Sequence, residues 1–158
     1  MIKATKRLIE DRSGAAMVEF MFAIPILLII FAGIVELGSI MHYYQALSDG
    51  SRAAARYLSR VEDPCDPAEL DHAASLAATR SSDWSAPPAL RDWPSSSAGV
   101  GATFQISVPE CSGGALSGDV ITFITSYQYR DAFGALALFG DAEGFWLTGL
   151  HQEVHLGA

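Results

Sequence analysis

Residues 14–35 of this chain are apolar at every position except Glu19, and no other stretch limits the possible folds as tightly. At ~1.5 Å rise per residue, a helix over residues 15–35 covers ~30 Å, about the thickness of a bilayer's hydrocarbon core. A single membrane-spanning helix is the expected outcome.

The preceding residues set its direction. Lys3, Lys6, Arg7 and Arg12 stand against Glu10 and Asp11, so the positive-inside rule keeps the amino end cytoplasmic and exports the chain beyond residue 36. A secretory signal peptide would carry its small-residue cleavage site after a shorter apolar core. Here Ser13, Gly14, Ala15 and Ala16 come before the core, so cleavage at Gly14 would leave the apolar segment on the mature chain.

Glu19 requires a reason, because a carboxylate within a membrane helix costs roughly 2.5–3.5 kcal/mol near the bilayer centre. One reading is positional: Glu19 lies about one turn into the span and can snorkel to the interface. The other is chemical. Cleavage after Gly14 would free the ammonium of Ala15, and Glu19, fifth in the new chain, would neutralise it on a neighbouring helix. Pro25 removes one backbone hydrogen bond within the span, either as a kink repaired by packing or as a flexible point.

Arg12, Gly14, Ala15, Ala16, Val18, Glu19, Phe20, Pro25, Leu27, Gly33 and Glu36 together resemble the TadE-like pseudopilins of the tight-adherence (Tad, or Flp-type) pilus system. The resemblance is strong over residues 12–60 and loose beyond. It implies a leader over residues 1–14, cut by an aspartyl prepilin peptidase between Gly14 and Ala15, with Glu19 as the assembly glutamate. It also implies other pilins and pseudopilins, an inner-membrane assembly platform and membrane lipids as partners. Glu19-Phe20 differs from the Glu-Tyr pair of the major Flp pilin, and this chain is much longer than that subunit. Both differences point to a minor pilin.

The remaining length allows one small domain, over residues 37–158 if the span is 15–36. Residues 1–36 carry four charges of each sign, so the other fourteen acids and six bases leave the exported part at −8. That surface does not suit nucleic acid. No nucleotide-binding glycine motif and no internal repeat is present.

The helical period continues past the span. Leu37, Tyr44, Ser51 and Leu58 recur at seven, with Ile40, Leu47 and Ala54 at the second heptad position, so the helix is expected to end near Ser59 or Arg60. Glu36 reads as an interfacial carboxylate, His42, Tyr43 and Tyr44 as interfacial or subunit-facing groups, and Arg52, Arg56 and Arg60 as a basic ridge, either solvated or in contact with an acidic neighbour. Pro64 and Pro67 end the helix.

Residues 68–81 then read as a second helix with Asp66 as a possible cap, and residues 82–101 as a surface loop anchored by Trp84 and Trp93. Phe104, Ile106 and Val108 alternate with polar neighbours in a first strand. Residues 120–129 form a second, apolar on both faces and therefore central, and residues 144–156 a less regular third. The segment Cys111, Ser112, Gly113 and Gly114 supplies turn chemistry between the first two. The expected fold class is α+β: a long helix with a small antiparallel sheet laid on its outer half.

Cys65 and Cys111, an even pair in an oxidising compartment, are expected to form a disulfide worth about 4 kcal/mol in the chain-entropy model. His151, Glu153 and His155 would share one strand face, which terminal polar residues on an exposed edge explain better than a metal site. No nucleophile has a supporting His and acid, and no cofactor motif appears, so an enzyme is not expected. Two functions are compatible with these features. One is a processed minor pilin of the inner membrane, needed for pilus assembly and adhesion and open to incorporation in the fibre. The other is an unprocessed, signal-anchored periplasmic scaffold or binding subunit of a secretion assembly.

Overall fold

The computed structural model describes residues 13–101, 103–112, 118–130 and 144–156. Contacts separate the chain into two units, one up to Gly38 and one from Ser39 onward. Most of the leader expected over residues 1–14 lies outside the described residues, as do its four basic side chains and Gly113 and Gly114.

The first helix, α1, is continuous over Ser13–Leu58 and runs through Pro25 without interruption. Its residues from Ser39 belong to an α+β head. The stripe turned to the head is Ile40, Tyr43, Leu47, Ser51, Ala54 and Leu58. The heptad through Leu37 and Tyr44 therefore fails at its early end: both are exposed, and Tyr43 takes the inward place. The drift of a seven-residue repeat, ~40° over two heptads, is under half the ~100° between neighbouring residues and does not itself choose Tyr43; the rings of Tyr127 and Tyr129, against which Tyr43 packs, do.

Helix α1 ends at Leu58, six residues before Pro64, and a second helix, α2 (Pro67–Thr79), begins where Asp66 Oδ1 accepts the N–H of Ala68 at 2.7 Å, as the capping chemistry predicts. It ends at Arg80 in the left-handed conformation, whose N–H donates to Leu76 O. Helices α1 and α2 approach closely: a Cβ on Gly50 would stand 2.5 Å from Ala77 O. Ala73, Ala77 and Ala78 complete this seam.

The sheet has the order β1-β2-β3 and is antiparallel throughout, with β1 at Phe104–Ser107, β2 at Val120–Tyr129 and β3 at Phe145–Val154. The central place of β2 agrees with its sequence. Its two faces differ, however: Ile121, Phe123, Thr125, Tyr127 and Tyr129 are buried, while the alternate face is only partly covered. Fully burying side chains of the size of Phe123 or Leu47 contributes about 1.5–3 kcal/mol each. Strand β1 pairs with the later half of β2, Phe104 opposite Tyr127 and Ser107 opposite Ile124. The connection containing Cys111 is thus longer than a tight hairpin, and Pro109–Ser112 forms a 3-10 turn within it.

The sheet packs on α1 through an uncommon set of small groups. A Cβ on Gly149 of β3 would lie 2.7 Å from Leu47 C and 2.9 Å from Ser51 Oγ. Beside it, Ser51 Oγ lies 2.6 Å from Leu47 O, to which it donates, and 2.8 Å from Thr125 Oγ1. The absent side chain at Gly149 lets strand and helix meet at backbone distance, and the hydroxyls satisfy one another where they are buried.

The irregular 82–101 segment is held as expected by its tryptophans. Trp93 is buried against Phe104 and Tyr127, with ring centroids at 5.0 and 6.1 Å, and its indole N–H has no hydrogen-bond partner among the described residues. Trp84 donates its backbone N–H to Ser75 Oγ and its indole N–H to the Asp71 carboxylate.

Candidate assembly segment

From Ala16 to Val35 the helix presents its apolar side chains outward. Phe20 is 63% exposed, and Met17, Met21, Phe22, Leu28 and Phe31 are similarly open. Among the described residues this is the one helix long and apolar enough to cross a membrane. Leu, Ile, Phe and Ala sustain the helix because, apart from the bond that Pro25 cannot donate, its interior backbone groups bond within it, which is the condition for a segment in lipid.

Gly14 and Glu19 are both exposed on this helix. Ala15 and Glu19 stand four residues apart and so share one face, one turn from each other. Pro25, also exposed, lacks the N–H that would have bonded the carbonyl of Met21, leaving an acceptor free in the middle of the apolar stretch. Glu36, at the end of the apolar stretch, is buried at 5% exposure.

In the head, Cys65 and Cys111 are joined in a disulfide with Cα atoms 5.2 Å apart, tying the connection just before α2 to the turn after β1. Beside it lies a cleft of about 400 Å³ lined by Leu70, Ala74, Val100, Ile106 and Val108. Asp71 is its carboxylate, and this side chain already accepts from Trp84.

His151, Glu153 and His155 do not form the exposed edge expected of them. Odd-numbered positions of β3 face α1, so His155 is buried with Nε2 3.0 Å from Val61 O, and His151 Nε2 meets Glu153 Oε1 at 3.0 Å. Arg56 Nε, 3.4 Å away, reaches the same Glu153 oxygen, so one member of the arginine ridge has an acidic partner while Arg52 and Arg60 stay exposed. The hydrogen bond from His151 first, and then that from Arg56, hold the Glu153 carboxyl below its ordinary pKa.

Two tyrosine contacts escape sequence reasoning altogether. Tyr57 donates to Glu69 and lies 3.2 Å from His72 Nδ1, joining α1 to α2; its phenol is pushed up to about 12, chiefly by the bond to Glu69. Tyr43 stacks on Tyr127 at 5.1 Å and donates to Asp92 Oδ2 at 3.1 Å, and burial first, then Asp92, raise its pKa. Only the helical spacing of Tyr43, Leu47 and Gly50 could have signalled the inward turn of Tyr43.

The family described as TadE-like protein matches residues 14–56, from the expected cleavage glycine to the last turn of α1. No curated protein matches the chain, and no solved structure does.

Proposed function

We propose that this chain, TadE-like over residues 14–56, is a minor pilin of a tight-adherence pilus. The observation that carries the reading is that the matched stretch opens on an outward-facing apolar run, residues 16–35, interrupted by one carboxylate, Glu19. In this reading an aspartyl prepilin peptidase cuts between Gly14 and Ala15. Residues 15–36 cross the inner membrane, with the amino end cytoplasmic, and residues 37–158 form a periplasmic head. The role is structural, with no reaction catalysed.

The physics of the segment supports such a role. Lipid tails are as apolar as Ile and Leu, so moving the helix from lipid into a helical fibre gains little from the hydrophobic effect. Recognition then falls to close packing and to polar pairs. Glu19, with the Ala15 ammonium of a neighbouring processed subunit, supplies a pair that lipid cannot offer. Removing one partner leaves a buried charge unmatched, a loss that can reach roughly 3–5 kcal/mol.

The test is Glu19→Ala in cells that process their major pilin. The variant should insert in the membrane at least as well as the parent, be cut to begin at Ala15 by intact mass, and yet give few or no pili and poor adherence. Glu19→Asp should be intermediate, since it keeps the charge and shortens the reach. Normal pili from Glu19→Ala, or a parent chain that is never shortened, would replace this reading with that of an anchored periplasmic scaffold.

A further inference from the structure

The even-numbered positions of β2 and β3 form the sheet face turned away from α1, and none of them carries a charge. The register sets Ile124 beside Leu150 at the centre, with Val120 beside Val154 at one end and Trp146 at the other. Hydroxyl and amide pairs separate these apolar rows. Leu150 is 53% exposed, and Trp146 and Val154 are nearly as open.

We propose that this uncharged sheet face is the contact surface between two copies of the chain, which meet face to face. The first argument is charge. The chain carries −8, so a basic partner would be drawn to its acidic surfaces, whereas a second copy is repelled by them. The outer sheet face is where two such chains can approach without setting like charges together.

The second argument is that the face is already prepared for burial. Ser126 Oγ and Thr148 Oγ1 lie 3.1 Å apart, and Gln152 Nε2 donates to Thr122 Oγ1 at 3.1 Å. These polar side chains already pair across the strands, so covering them costs less than covering unpaired ones.

The third argument is order. Along the strands the rows run apolar (Val120, Val154), polar (Thr122, Gln152), apolar (Ile124, Leu150), polar (Ser126, Thr148) and mixed (Gln128, Trp146). A two-fold axis through the central Ile124–Leu150 row sets that apolar row on its own copy and the flanking polar rows on polar rows. Two strands of ten residues and one of four span about 380 Å² per copy at ~3.3 Å per residue and ~4.8 Å between strands. A stable interface takes about 800 Å² per partner, so the contact is weak alone and is strengthened when both chains are held close together.

The test uses the full chain in mild detergent, carried in two differently tagged copies and scored by co-isolation and sedimentation. The parent should self-associate. Leu150→Asp and Leu150→Lys should each weaken association more than about tenfold, because each sets like charges at the centre of the contact. An equimolar mixture of the two variants should recover it. Far-UV circular dichroism and an intact Cys65–Cys111 bond report that each variant is folded. A monomeric parent, association indifferent to either substitution, or a mixture that does not recover would each overturn the proposal.

Discussion

Leu28 and Leu47 stand on the same helix, yet the first is 61% exposed and the second is fully buried. Around Leu28 nearly every side chain is large and apolar, and which way each points makes little difference, because the expected solvent is hydrocarbon on all sides. Around Leu47 the stripe is built of Gly50, Ser51, Ala54 and Ala55, and direction decides everything. One half of α1 is specified by composition and the other by position. Large groups suit a lipid neighbour that can flow, whereas small groups suit a sheet and a second helix that must approach within backbone distance.

The widest test of that contrast is the disulfide, which closes the head alone. Cys65→Ser with Cys111→Ser should cost about 4 kcal/mol, by the loop-entropy estimate for a separation of 46 residues. Chemical denaturation of the detergent-held chain should show the head unfolding earlier, with helical ellipticity from the apolar half retained. A head midpoint unchanged within error would show that α1 and the sheet need no cross-link.

A paired substitution sharpens the comparison. Gly149→Leu should destabilise the head by about 3 kcal/mol, because its Cβ meets the backbone of Leu47 and cannot move aside. Gly33→Ala, at a site with nothing within 4 Å, should leave the head's melting temperature unchanged. Equal effects from the two would erase the distinction between the halves.

The smallest expected effect concerns pH. Glu153 has a depressed folded pKa, so its contribution is present above the unfolded carboxylate value and is lost as pH falls through the folded one. Acid titration of stability should therefore show a slightly shallower loss below about pH 4 in Glu153→Gln than in the parent. Superimposable acid limbs would mean that the contact with His151 and Arg56 adds nothing.

The parts of the fold that can be read from sequence are those governed by repetition or by a single chemical rule. These include the apolar run, the capping Asp66 before α2, the alternation of β2 and the cysteine pair. The heptad selects Tyr44 over Tyr43 because a repeat carries no information about the rings of Tyr127 and Tyr129 that Tyr43 packs against. His155 is misplaced because a polar side chain near a strand's end looks exposed until one sees that Val61 O offers it a partner. The role of Gly149 has no sequence signal, since a glycine in a strand gives no hint of which backbone comes close. In the apolar segment Glu19 stands out at once, as any lone charge does among hydrocarbon groups. The buried state of Glu36 cannot be read, because it depends on the fold.

The ladder between β2 and β3 has a mechanical consequence. Its rungs run from Val120 opposite Val154 to Tyr129 opposite Phe145, perpendicular to the strands. A pull along the strand axis loads all of them together in shear, whereas a pull across it would open them one after another. Survival of the head under axial tension is then set by how slowly it unfolds and not by its equilibrium stability, so a fibre subunit with this arrangement can endure brief strong tugs that equilibrium stability alone would not withstand.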